Sequence, residues 1–217
     1  MTLQGTVQKS FILLGLAAIS ACFTWKTSTG IGAAAGIIGA LGGLLVCVVI
    51  CLKKEWAAGL APVYAILQGL FLGLISAITD RVYTGIVAQA VMLTFGTFCA
   101  LLAAYTTGMI KPSEKFKLGI VAATGGIALV YLISIVLRLL GMHMPLIHQS
   151  GVIGIAFSAF VVVIAALNLV LDFDFVENGC ENRAPQYFEW YAAFGLMVTL
   201  VWLYVEILRL LSKLRSR

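Results

Sequence analysis

Charge is scarce in this chain. Asp, Glu, Lys and Arg together make up 11% of its 217 residues, too little polar surface for a water-soluble domain of that length. No polar stretch is long enough to form a soluble domain beside the rest. A disulfide framework is missing too. Of five cysteines, Cys22, Cys47, Cys51 and Cys99 lie in apolar stretches, and Cys180 is alone in a loop. Cys47 and Cys51 share a helix face, but four residues along one helix is poor disulfide geometry; all are read as buried small apolar side chains. Soluble-type catalytic signatures are lacking: no Walker loop, no Gly-x-Ser-x-Gly elbow and no His-Glu-x-x-His. Asp172 and Asp174 stand two residues apart and face different directions, unlike the facing pair of an intramembrane aspartyl protease. No enzyme and no resident cofactor are expected.

Apolar length is what the chain does have. It is 62% hydrophobic, with a mean hydropathy of +1.07. Apolar stretches of about 17 to 25 residues recur from end to end, the length a helix needs to cross a bilayer. The alternation of a barrel strand is absent, and helices satisfy their own backbone. The expected fold is all-α: a polytopic membrane protein in one transmembrane domain, 1–217. Its seven spans run from Ser10 to Trp25, Ile31 to Leu52, Leu60 to Thr79, Thr84 to Thr107, Leu118 to Leu140, Ser150 to Leu171 and Tyr187 to Leu211.

The net charge of +5 does not point to nucleic acid, because the basic residues sit at span ends and orient the chain. One set of flanks carries Lys9, Lys53, Lys54, Lys111, Lys115, Lys117 and Arg183; the other carries Lys26, Arg81 and Arg138. Seven against three puts the N-terminus in the cytoplasm. Seven spans then leave the tail outside, although it carries Arg209, Lys213, Arg215 and Arg217. Gly32, Gly36, Gly39 and Gly43 in the second span, Gly69 and Gly73 in the third, and Gly125 and Gly126 in the fifth are expected to let helices pack closely. Trp25, Trp56 and Trp190 read as interface anchors, and Trp202 as a packed residue. Ser113 with Glu114 is expected to start the fifth helix, and Pro185 to open the seventh. His143 and His148 read as solvated loop residues.

Six of the nine acids fall between positions 172 and 206: Asp172, Asp174, Glu177, Glu181, Glu189 and Glu206. Carboxylates at membrane depth are expensive, so they either reach water or serve a purpose. Asn168 and Asp172 share a helix face near the end of the sixth span. A polar loop is expected to follow, with Glu189 opening the seventh span at the membrane level of Asp172. Two such carboxylates would titrate as a coupled pair, holding a shared proton or a cation with oxygen ligands such as calcium. The candidate proton- or cation-binding residues are therefore Asp172, Asp174, Glu189 and Asn168, with Asp172 and Glu189 as metal ligands. In the alternative reading, Glu189 is a first-turn helix charge. Glu206 is expected to pair locally with Arg209.

Four segments taken in order resemble the Bax inhibitor-1 (YccA/TMBIM) family, in a bacterial branch. They are AILQGLFLGLISAITDRVYTGIVAQAVMLTFGTFCALLAAY, KPSEKFKLGIVAATGGI, NLVLDFDF and EWYAAFGLMVTLVWLYVEILRLL. The resemblance implies a seven-helix fold and a pH-sensitive leak of calcium or other cations, gated by acids on the last two helices. It implies the bacterial cytoplasmic (inner) membrane as the location. Asp172 matches the sixth-helix acid. The family's seventh-helix acid falls at about Leu196 to Thr199, where this chain has none, and its third-span acid corresponds to Gln68. Lys53 and Lys54 match a basic cluster that latches the sixth-helix acid. The expected partners are thus the lipid bilayer and cations. A function of another class also fits: an integral regulatory protein that binds a membrane protease or other membrane partner through its glycine-rich faces, without transport.

Overall fold

The computed structural model describes residues 1–27, 30–140 and 151–216; His143 and His148 lie outside them. Seven helices of membrane-crossing length and apolarity are present among the described residues, and no strand. They are α1 (Leu3–Lys26), α2 (Ile31–Leu52), α3 (Ala57–Val82), α4 (Ile86–Thr106), α5 (Glu114–Leu139), α6 (Val152–Glu181) and α7 (Tyr187–Arg215), with a 3-10 turn at Lys54–Trp56 before α3. The expected all-α polytopic architecture is therefore the observed one.

Two boundaries differ from expectation in ways that matter. The first helix begins at Leu3 instead of Ser10, because the Thr2 hydroxyl caps it by accepting the Gly5 N–H at 3.1 Å. Lys9 consequently lies inside a helix. The sixth helix does not stop at Leu171. It runs on to Glu181, so Asp174, Glu177 and Glu181 stand on a helix and not in a loop. Its apolar face explains this. Leu169, Phe173 and Val176 are all buried, and their spacing of four and three keeps one helical stripe packed through the acidic stretch. The helix starts read from sequence hold. The Phe116 N–H donates to the Ser113 hydroxyl at 3.3 Å, and the Phe188 N–H donates to the Pro185 carbonyl at 3.0 Å.

The chain forms two compact units. Residues 1–87 and 172–201 make the first, and residues 88–171 and 202–217 the second. In the first unit, α3 packs on α1 and on α2. Small residues set both approaches. A side chain at Gly69 would collide with the Ala17 carbonyl and the Ser20 hydroxyl, and one at Gly39 with the Leu67 carbonyl. The glycine spacing of the second and third spans is thus a close helix–helix contact. Leu13, Ile50, Tyr64, Ala65, Phe194 and Met197 share the buried core of this unit. In the second unit, Ile127 of α5 packs with Val161 and Ile164 of α6, and Trp202 lies against them. Gly125 and Gly126 do not behave as expected: a side chain at either would meet nothing within 4 Å.

Candidate functional site

Asp172 sits on α6 with its carboxyl turned to the first half of α7. A carbon added at the Cβ position of Gly195 would stand 3.7 Å from Asp172 Oδ1. One turn along, Thr199 is the hydrogen-bonding side chain in its neighbourhood. A hydroxyl has one proton to donate, and that of Thr199 is directed to its own helix, to the Gly195 carbonyl at 3.2 Å. Asp172 Oδ2 is buried and has no hydrogen-bond partner among the described residues.

Glu189 is elsewhere. The α6–α7 connection is only residues 182–186, so the antiparallel register pairs positions whose numbers sum to about 368, the sum of 181 and 187. Position 172 then falls opposite 196, and 189 opposite 179. The expected common level for Asp172 and Glu189 came from ending α6 ten residues too early, and the structure does not bring the two carboxyls together. Glu189 faces α1. Its Oε1 accepts from the Thr2 N–H at 2.8 Å and the Thr2 hydroxyl at 3.0 Å, and Lys9 Nζ donates to its Oε2. Lys9 also lies 5.5 Å over the Trp190 ring. Glu189 is 4% exposed. It sits in the first turn of α7, and it supplies negative charge to the N-terminus of α1, where the helix dipole favours it. Both oxygens are committed, so the role of metal ligand expected for it is not supported by this geometry.

The other candidates separate as well. Lys53 lies 4.5 Å over the Trp56 ring, and Lys54 lies 5.3 Å over the Tyr191 ring. No ion pair joins either lysine to Asp172 among the described residues, so the expected latch is not formed. The reason is again register, since Tyr191 is one turn of α7 before Gly195. Asn168 turns its amide to the Thr124 hydroxyl at 2.8 Å and to the Ile164 carbonyl at 2.8 Å. Asp174 accepts from Asn178 Nδ2 at 2.9 Å. Gln68 donates to the Tyr64 hydroxyl at 3.1 Å, while its Oε1 is buried without a partner among the described residues.

A family model described as "Bax inhibitor 1 like" matches residues 1–216. The chain belongs to that family. No curated protein and no solved structure matches it.

In this Bax inhibitor 1 like chain, the α7 stretch that faces Asp172 is the one where the resemblance places a second acid. It offers a glycine and a hydroxyl instead. That pairing was open to sequence reading, because Gly195 and Thr199 are four apart and share a helix face. Thr2 and Lys9 as partners of Glu189 carried no such signal, lying 187 and 180 positions away. The same holds in the second unit. The expected pair of Glu206 with Arg209 is present at 3.0 Å. It is completed by the Tyr131 hydroxyl, which donates to Glu206 at 2.9 Å and stands 2.7 Å from Arg209 Nη1. Lys213 Nζ, nearby on α7, donates to the Ser158 hydroxyl at 2.8 Å and to the Gly154 carbonyl at 3.1 Å. Among the described residues, no three His, Cys, Asp or Glu side chains converge where they could hold a metal ion.

Proposed function

We propose that the protein is a passive, pH-sensitive cation leak pathway that passes calcium, with Asp172 as the group that responds to protons and cations. The observation that carries this reading is Asp172 Oδ2, a buried carboxyl oxygen without a partner on a helix long enough to span a membrane. An unsatisfied polar group in such surroundings is costly. It is satisfied by a proton, by a rotated Thr199 hydroxyl, or by a passing cation. Calcium prefers six to eight oxygens. One carboxyl and one hydroxyl make a weak site that suits an ion in transit, which must leave as readily as it enters. Membership of the Bax inhibitor 1 like family supports the same reading.

Orientation with the N-terminus in the cytoplasm, in a bacterial inner membrane, is part of the proposal. One charge of that count and one of the tail are neutralised locally, Lys9 by Glu189 and Arg209 by Glu206. Removing Lys9 still leaves six basic flanking residues against three. Removing Arg209 lessens the conflict at the tail.

The alternative is a regulatory partner of a membrane protease or another integral protein; the glycine faces of α2 and α3 are taken up by contacts within the chain, so such a partner would dock on another face. Flux in a lipid vesicle that contains only this protein separates the two. Purified protein in vesicles loaded with a calcium dye should leak calcium, and the rate should change between about pH 5 and 8. Asp172→Asn should remove that pH dependence. Absence of flux at every pH would reject the leak reading in favour of the regulatory one.

A further inference from the structure

Cys47 and Cys51 are left over by the function proposed above. Both are free thiols on α2, with Cys51 exposed and Cys47 half-buried. They lie one turn apart on one face, where Cβ atoms are about 5–6 Å from each other. A disulfide needs Cβ atoms about 3.5–4.5 Å apart, so direct oxidation would have to unwind the helix. A soft cation does not have this difficulty. With metal–sulfur bonds of roughly 2.3 Å, two sulfurs on opposite sides of one ion are separated by about 4.6 Å, and two side chains on that face can rotate to this spacing.

The surroundings complete the case. Cys51 is the penultimate residue of α2, close to the end of the membrane-crossing segment and so within reach of an ion from the water phase. Cys47, together with Tyr191 of α7, packs against the buried cluster that holds Tyr64 of α3. The Lys54 ammonium lies 5.3 Å over the Tyr191 ring, which brings positive charge to this end of α2. Sulfur ligands select soft ions such as Cu(I), and binding such an ion displaces the thiol proton.

We propose that Cys47 and Cys51 form a two-thiol site for a soft monovalent cation of the Cu(I) type at the C-terminal end of α2. Binding forms two sulfur–metal bonds and breaks two S–H bonds, and both protons leave to water. The ion enters as Cu(I) and remains Cu(I), so no electron moves. One positive charge arrives and two protons depart, which leaves the site with one net negative charge for Lys54 to balance. This site is separate from Asp172 and stands whether or not the protein leaks calcium.

The test uses the full chain in detergent with Cys22, Cys99 and Cys180 replaced by serine. Cu(I) is supplied as its bicinchoninate complex under anaerobic, reducing conditions. The protein should withdraw one Cu(I) per chain from the coloured complex. Cys47→Ser or Cys51→Ser should weaken this by more than the roughly 10- to 100-fold that loss of an outer-shell partner costs a metal site. Failure to compete with all other cysteines removed, or equal competition by the Cys47 and Cys51 variants, overturns the proposal. A second measurement needs no substitution. Preloading the native chain with Cu(I) should protect Cys51 from a maleimide while the exposed Cys99 is still labelled. Equal labelling of both overturns the proposal as well.

Discussion

Asp172 faces Gly195: the place where a Gly195 side chain would begin is 3.7 Å from Asp172 Oδ1. That is ordinary van der Waals separation, so the carboxyl fills space that the missing side chain leaves accessible without being sealed by it. Gly195→Ala should therefore be accepted. It should stabilise the protein by up to about 1 kcal/mol through helix propensity. Gly69→Ala should do the opposite, losing about 1–3 kcal/mol, because its methyl group would collide with the Ala17 carbonyl. Thermal unfolding in detergent checks the pair. Equal effects would show that the α1–α3 contact is looser than this structure has it.

The two neighbouring aspartates should respond differently. Asp174 has a local donor in Asn178, whereas Asp172 Oδ2 has none. Asp174→Asn should leave the pH dependence of calcium leak in place, and Asp172→Asn should abolish it. Thr199→Val, which removes the hydroxyl in reach of Asp172, should alter the pH response without ending it. Vesicle flux for the three variants decides. Matching losses in Asp172→Asn and Asp174→Asn would reduce the site to a general acidic rim.

Lys53 and Lys54 should not govern the leak. Each lies over an aromatic ring, and among the described residues neither pairs with Asp172. The double change to Gln should leave basal calcium leak within about twofold of native, a difference well under 1 kcal/mol. A large rise in leak would restore the latch that the register of α7 argues against.

Glu189 should matter for stability more than for transport. Glu189→Gln leaves the Lys9 ammonium, itself mostly buried, without its counter-charge, and breaking such a pair costs about 3–5 kcal/mol. Replacing both Glu189 and Lys9 by Met should cost less than Glu189→Met and Lys9→Met added together. Unfolding measurements on the three variants give the coupling. Simple additivity would show that the pair contributes nothing beyond its separate packing.

Tyr131→Phe tests the second unit. It removes one hydrogen bond to the buried Glu206 and leaves Arg209 in place, so a loss of about 1.5–3 kcal/mol is expected, the size of a hydrogen bond to a charged group. A neutral result would mean that Arg209 alone satisfies the carboxylate.

The sequence by itself determined the class of protein, the number of crossings and the identity of the acid that faces the next helix. Scarce charge and apolar runs of membrane length leave helices as the way to satisfy the backbone in lipid. Local spacing also sufficed for the Glu206–Arg209 pair, three residues apart, and for the glycine faces of α2 and α3. Tertiary structure decided everything that depends on register between helices. Reading α6 as ending at Leu171 was reasonable from its charges, yet Phe173 and Val176 are buried and carry the helix ten residues further, to Glu181. Each of those residues moves the partner of Asp172 deeper along α7, to the level of Gly195. The partners of Glu189 and Lys54 come from distant helices. They follow from how packed faces meet in three dimensions, which no spacing along the chain encodes.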